Sequence, residues 1–355
     1  MSFVYRRLLK PVFFLFDPED VHNMMVFWGE VFGAFPPARF VLSLIWGYRG
    51  PDISKTVDDI HYERPVLLSA GFDYNGRLSQ VLPSIAFGGE EIGSVTARPC
   101  AGNPKPRLTR LVRNKSIVVF KGLMNQGADQ IIRRLAGKKR IPGFVIGISI
   151  ARTNDADSAS IAAGIEDYYA TFKKMNEADI GDYYTINISC PNAFGGESFA
   201  TPELLPQLLK KLETQLCTKP VYVKMPINLP WTEFKKLLDI VAGSRCRGVI
   251  IGNLNKDYGA LDFPEDAPVQ FRGGLSGKVC RELSNDLIRR TRAAYGDRFT
   301  IIGVGGIFSG EDALEKFRAG ADLVQLITGM IFEGPGLIKE ICNAYAREYA
   351  SPSGN

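Results

Sequence analysis

Eight short apolar runs, most of them followed by a segment of helical pattern, constrain this chain more than any other feature. They are "PVLLSAGF" (65–72), "EIGSVTA" (91–97), "GFVIGISI" (143–150), "YYTINIS" (183–189), "PVYVKM" (220–225), "GVIIGN" (248–253), "FTIIGVGG" (299–306) and "LVQLITG" (323–329). Their apolar residues are continuous rather than alternating, as in parallel strands covered on both faces. "TPELLPQLLKKLETQL" and "GEDALEKFRAGA" show the helical period between them. Eight strands with intervening helices are the count of a (β/α)8 TIM barrel, and 355 residues suit one large barrel. An open doubly wound sheet is the alternative. It would more often carry an early GxGxxG turn, which is absent.

In a barrel of this kind the working residues sit where strands end. Several of these runs end in polar residues or glycine: Gly71-Phe72-Asp73, Ser149, Cys190-Pro191-Asn192, Lys224, Asn253, Gly305-Gly306 and Thr328-Gly329. Any one of them reads as an ordinary turn. Their recurrence at successive strand ends reads as a site.

Other classes of function have less support. The net charge of +5 is spread along the chain, with no basic stripe interleaved with aromatics, so no nucleic-acid partner is expected. A mildly basic surface also suits anionic lipid or an anionic substrate. Six cysteines lie scattered without a CxxC pair, and there are two histidines, so neither a metal site nor a disulfide framework is expected. No secretory signal is visible, and no apolar run approaches the roughly 18 residues of a membrane span.

The first fifty residues differ from the rest. They are rich in Phe, Trp, Leu and Val, with Arg6, Arg7 and Lys10 near the start, and Asp17-Pro18 offers a helix opening. Two short amphipathic helices separated by that step fit the pattern. They would form either a lid on the barrel or a pair lying in a membrane interface.

Glycines at Gly305-Gly306 and Thr328-Gly329, with "GGLSG" (273–277) as a further Gly-rich loop, would let backbone N–H groups approach an anion. Phosphate cradles after the seventh and eighth strands are common in this barrel. A nucleotide-type phosphate is expected, and flavin mononucleotide (FMN) is a natural cofactor for such a barrel. Lys224, on the buried run "VYVKM", would point a cation into the mouth, where it could balance charge on a reduced flavin.

With these motifs in place, the chain resembles the dihydroorotate dehydrogenases, most closely the membrane-associated, quinone-using class. The segments that carry the likeness are "FDPEDVH", "SAGFDYNG", "GSVTARPCAGNPKPRLTRL", "INISCPN", "GGLSG", "IIGVGGI" and "ITGMIFEGPGLIKEI". The resemblance implies an FMN-bearing barrel over residues 51–355 and an N-terminal helical segment, 1–50, that admits a quinone at a membrane surface. That surface would be the cytoplasmic side of the inner membrane in a bacterium, or the mitochondrial inner membrane in a eukaryote.

Position by position, the resemblance implies an FMN shell of Ala70, Gly71, Ser94, Asn187, Lys224, Gly277, Gly306 and Thr328. Asn187, Asn192 and Asn253 match amides that hold the pyrimidine, and His22 and Arg110 match residues at the quinone entrance. Cys190 matches the catalytic base, a position usually serine in the quinone class and cysteine in the soluble class. Its thiolate would take a proton from a carbon next to a carbonyl while the neighbouring carbon gives hydride to the flavin. An inert buried thiol is the other reading of Cys190.

Five positions depart from the family pattern. Tyr74 stands where the family has a lysine, Val119 and Ser149 where it has asparagines, Leu254 for a threonine and Ile327 for a tyrosine. Loss of polar partners can reshape a site that reads its substrate by hydrogen bonds. An FMN-dependent ene-reductase acting on another cyclic substrate, and a flavin-binding or membrane scaffold without activity, are therefore the rival expectations.

Overall fold

The computed structural model describes residues 2–189, 199–270 and 273–350. In chain order its strands are β1 (Lys55–Val57), β2 (Ile60–Tyr62), β3 (Val66–Leu68), β4 (Gly89–Val95), β5 (Leu108–Leu111), β6 (Ser116–Val119) and β7 (Val145–Ile150). They continue with β8 (Tyr183–Asn187), β9 (Val221–Met225), β10 (Gly248–Ile251), β11 (Gly274–Gly277), β12 (Thr300–Val304) and β13 (Leu323–Leu326). Eight of them close a parallel barrel in the order β3-β4-β7-β8-β9-β10-β12-β13, with β13 pairing back onto β3. Each of the eight apolar runs supplies one barrel strand, so the (β/α)8 expectation holds.

The barrel strands are buried on both faces, as their uninterrupted apolar runs require. On the inside, a polar layer crosses the barrel. Glu91, fully buried, accepts at one carboxylate oxygen from Tyr183 Oη (3.3 Å), Thr185 Oγ1 (3.1 Å) and Gln325 Nε2 (3.0 Å). Three strands, β4, β8 and β13, are thus tied through one carboxylate. Below it, the hairpin β1–β2 closes the lower end of the barrel, where Val57 and Tyr62 pack on Leu67, Val145, Tyr183 and Tyr222.

Two parts were not legible in advance. The "GGLSG" segment is not a loop; Gly274–Gly277 is β11, antiparallel to β6, which in turn pairs with β5. Gly273 and Gly277 there lie against the backbone carbonyls of Val119 and Lys115, where an added Cβ would sit 2.1 and 2.4 Å away. Small residues therefore serve close strand packing as well as turning.

The N-terminal region also differs from two helices split at Asp17. A short helical lead runs from Ser2 to Phe14, followed by helices Pro18–Ala34 and Pro36–Trp46, the second break being at Phe35-Pro36. Asp17 does open a helix: its carboxylate accepts from Glu19 N (2.8 Å) and Asp20 N (3.1 Å), with Pro18 in the first turn. The region docks on the barrel through Tyr5 Oη to Ile331 O (2.7 Å), Arg6 to Glu333 (3.0 Å) and Phe14 edge-on to Phe332 (5.4 Å). Gly29 and Gly33 let the helix Pro18–Ala34 lie directly on Leu78, Gln80 and Val81.

Replacing Glu91 by alanine strands three buried donors at once. Glu91→Ala is expected to lower stability by about 3 kcal/mol, seen as a lower urea midpoint at unchanged slope.

Candidate active site

The polar strand ends meet at one rim. Asn187, at the end of β8, donates from Nδ2 to Ser94 Oγ (2.9 Å), and Ser94 Oγ bonds Ser149 Oγ (2.8 Å). Tyr168 Oη donates to the backbone carbonyl of Asn187 (2.7 Å). Asn253, just past β10, donates to Ser189 Oγ (2.6 Å) and to Asn187 Oδ1 (3.3 Å). Four strands far apart in the sequence thus share one chain of amides and hydroxyls. Its members orient one another, which is what a site reading a flat polar ligand needs.

Lys224 belongs to the same floor. It is 5% exposed, and its Nζ lies 3.4 Å from Ser69 Oγ at the end of β3. Strands β9 and β3 are four places apart in an eight-strand barrel, so the side chain spans the barrel from one wall to the opposite one. A buried cation is held beneath the mouth.

Beside this floor, Gly71 follows β3, its N–H donating to Gly93 O (2.8 Å). Its φ is +108°, and an added Cβ would approach only Ile327 Cδ1, at 3.6 Å, so the space above Ala70-Gly71 is open. On the neighbouring strand ends, Ser276 Oγ bonds Thr328 Oγ1 at 2.7 Å. Gly277 and Gly306 have φ of +116° and +74°, and a Cβ at Gly306 would sit 2.3 Å from Arg281 Cβ. Backbone in this conformation favours glycine, and it leaves peptide groups without side chains beside Thr328. The uncrowded backbone at Gly71, the buried Lys224 and the glycines beside Thr328 suit a flavin and its phosphate.

On the other side of the mouth the helix Pro18–Ala34 contributes Glu19, 3% exposed. Arg107 Nε donates to both its oxygens at 3.0 Å, Arg107 Nη2 to Oε1 at 2.7 Å, and Lys121 Nζ to Oε1 at 2.7 Å. Burial works against the charged form of Glu19, but these donors outweigh it and hold its pKa down at about 2. His22, one turn on, packs against Phe72 (4.8 Å) and Tyr74 (5.3 Å). Burial, with the Lys121 charge adding to it, brings the His22 pKa down to about 4. Arg110 lies against the stretch just before that helix, its guanidinium 4.7 Å from the Phe14 ring and its Nη1 donating to Phe16 O (2.9 Å).

Of the residues singled out from the sequence, Ser94, Asn187 and Asn253 are directly bonded to one another or through Ser189. Ala70, Gly71, Lys224, Gly306 and Thr328 stand at or just past the ends of barrel strands, and Gly277, which ends β11 outside the barrel, lies against Thr328. Cys190 and Asn192 lie outside the described residues. The remaining cysteines, Cys100, Cys217, Cys246, Cys280 and Cys342, are free thiols. Among the departing positions, Ser149 joins the hydroxyl chain, Val119 pairs with Gly274, Leu254 abuts Gly274, and Ile327 faces Gly71. Tyr74 is not simply a lost cation: Lys121 Nζ stands 5.4 Å from its ring centroid.

Glu19, Arg107, Lys121 and Ser189 were not anticipated as a unit. Glu19 reads in sequence as an ordinary acidic first-turn residue, and nothing local distinguishes it from Asp20, which stays exposed.

Comparisons with known proteins identify the family. The dihydroorotate dehydrogenase family model matches residues 53–348. The chain is 34% identical over 342 residues to a dihydroorotate dehydrogenase (quinone) of Christiangramia forsetii, covering 95% of this chain and 97% of that one. It is 34% identical over 320 residues to one of Synechococcus sp., covering 86% and 82%. Two Eimeria tenella DHODH structures share the fold. The complex with ferulenol has a TM-score of 0.78 at 23% identity, covering 94% of this chain and 91% of that one. The ligand-free form has a TM-score of 0.79 at 24% identity, covering 93% and 94%. The chain belongs to the dihydroorotate dehydrogenase family.

The depressed pKa of Glu19 sets an acid limit. A folded-state pKa below the ordinary 4.5 gives stability that is present above that value and lost as pH falls toward about 2. Fluorescence of Trp28, on the same helix, is expected to change within that window, and Glu19→Gln to remove the transition.

Proposed function

We propose that this member of the family oxidises dihydroorotate to orotate on a bound FMN and delivers the electrons to a quinone. The observation that carries this is the shared amide and hydroxyl chain of Ser94, Asn187, Ser189 and Asn253 beside the buried Lys224. In this reading Ala70, Gly71, Ser94, Asn187, Lys224, Gly277, Gly306 and Thr328 hold the FMN, which when bound accepts a hydride and passes electrons onward.

The chain's own groups do the rest. Asn187, Asn192 and Asn253 orient the pyrimidine through its amide edges. Cys190, placed by sequence three residues beyond Asn187 on the β8 exit, takes the proton from the substrate carbon beside a carbonyl. The buried Lys224 ammonium favours negative charge above it. The relatives' shared name speaks for dihydroorotate over another cyclic substrate, although Tyr74, Val119 and Leu254 differ from the family pattern.

The quinone side rests on the N-terminal segment, 1–50. Seventeen of the 24 large apolar side chains exposed among the described residues fall between Phe3 and Leu44, with Leu15, Phe3, Phe40 and Leu8 at 84, 71, 64 and 62%. So dense a patch marks an interaction surface. No described helix is long and apolar enough to cross a membrane. We read the patch as a peripheral membrane contact, at the inner membrane of a bacterium or mitochondrion, through which quinone enters past His22 and Arg110.

Anaerobic titration tests the reaction: dihydroorotate should bleach the flavin, and a quinone should restore its colour. Bleaching only by other donors would favour an ene-reductase, and no flavin uptake a scaffold. Cys190→Ala is expected to slow bleaching by about 10²–10⁴-fold with the bound flavin spectrum intact. Wild-type bleaching should rise toward alkaline pH, as a thiolate base of ordinary pKa about 8.5 requires. In vesicle flotation, the combined variant Phe3→Ser, Leu8→Ser, Leu15→Ser, Phe40→Ser should bind at least about tenfold more weakly, with bleaching by dihydroorotate unchanged.

A further inference from the structure

The Glu19 node carries more positive charge than it needs to be a simple latch. Arg107 alone engages both oxygens of Glu19, and it also donates from Nη1 to the carbonyls of Ala101 and Asn103, both at 2.9 Å. Lys121 is then a second cation on the same carboxylate, 4% exposed and 2.7 Å from Oε1. Among the described residues Glu19 is the one carboxylate within ion-pair distance of either group. Lys105 stands 3.8 Å from both Glu19 and Asp20, so the exposed Asp20 offsets it. One negative charge thus faces two positive ones, Lys121 buried and Arg107 partly so. A buried excess charge is costly unless something else uses it.

The surroundings of Lys121 indicate what that is. Its ammonium points over the Tyr74 ring at 5.4 Å, within cation–π range. Tyr74 touches His22, and His22 touches Phe72. Phe72 and Tyr74 lie in the loop that leaves Gly71, and His22 lies on the helix of the exposed apolar region. The cation therefore sits where the barrel mouth meets the N-terminal helices.

We propose that Lys121 is a positioning residue for the acceptor half of the reaction: it leaves the Glu19 node with one unbalanced positive charge beside Tyr74 and His22, where an acceptor gains negative charge as it is reduced. This rests on the proposed function above, in which dihydroorotate supplies two electrons through the flavin and the quinone takes them up with two protons to become a quinol. The charge acts at short range because the node is buried and weakly screened. It acts on the acceptor side because Lys121 faces helix Pro18–Ala34, whereas Lys224 lies within the barrel. The same charge adds to burial in keeping His22 neutral, so His22 does not contribute a second cation there.

The test uses the FMN-loaded full chain, with Lys121→Gln, which keeps a donor to Glu19 without the charge, and Lys121→Arg, which restores the charge. Stopped-flow absorbance separates bleaching by dihydroorotate from reoxidation by a water-soluble short-chain quinone. The expected result is unchanged bleaching in all three proteins, reoxidation about tenfold slower in the Gln variant, and recovery in the Arg variant. NMR titration of the wild type, which has only His22 and His61 to assign, should place His22 near 4. In the Gln variant it should move toward the ordinary value of 6.5. Reoxidation unchanged in the Gln variant, equal slowing of both halves, or a His22 titration that does not move between the wild type and the Gln variant would each overturn the role of Lys121. Where the Gln variant does not fold, Lys121→Met, which removes the charge at similar length, gives the same reoxidation test. A wild-type flavin that dihydroorotate bleaches but quinone does not reoxidise would instead overturn the acceptor reading, and the proposal with it.

Discussion

Closure of the barrel is the constraint on which the rest depends. Once β13 pairs back onto β3, all eight parallel strands must deliver their carboxyl ends to a single rim. Ser94, Asn187, Lys224 and Asn253 span 160 positions of sequence, yet closure brings them to one floor. An open sheet would have spread them along an edge. The buried Glu91, gripped from β8 and β13 while standing on β4, is the polar counterpart of that closure.

On this frame the molecule separates two kinds of charge chemistry. Lys224 lies inside the barrel, reaching Ser69 from the opposite wall. The Glu19 node lies outside it, between the mouth and the N-terminal helices, and joins two units that also meet through the Tyr5–Ile331 hydrogen bond, the Arg6–Glu333 ion pair, small residues and aromatic edges. Because Glu19 is both the anchor of a helix and the partner of two barrel-side cations, docking of the apolar region and the electrostatics of the mouth are one problem. The departures from the family pattern read differently in this light. Ser149 enters the hydroxyl chain, and Tyr74 acquires Lys121, a cation from a different loop.

Much of this was legible in the chain itself, for a physical reason. Continuous apolar runs flanked by helical patterns specify buried parallel strands locally, so all eight barrel strands could be located in the chain, though not their bounds: the run 91–97 is strand Gly89–Val95. Glycine and short polar residues at their ends declare the rim, since neither packs a core. The Asp17-Pro18 helix start was readable too, because a cap acts through its own next turn. What stayed hidden depends on partners distant in sequence. The "GGLSG" segment looks like a loop because glycine lowers strand propensity, and only its antiparallel seat on β6 makes it a strand. Glu19 resembles any first-turn acid until Arg107 and Lys121, 88 and 102 residues away, arrive at its carboxylate. The sequence by itself determined the barrel and the chemical types at its rim, because those follow from periodicity and residue chemistry. Which of those groups touch, and where an uncompensated charge is left, only the tertiary structure decided, because ion pairing and hydrogen bonding depend on distances that no local pattern encodes.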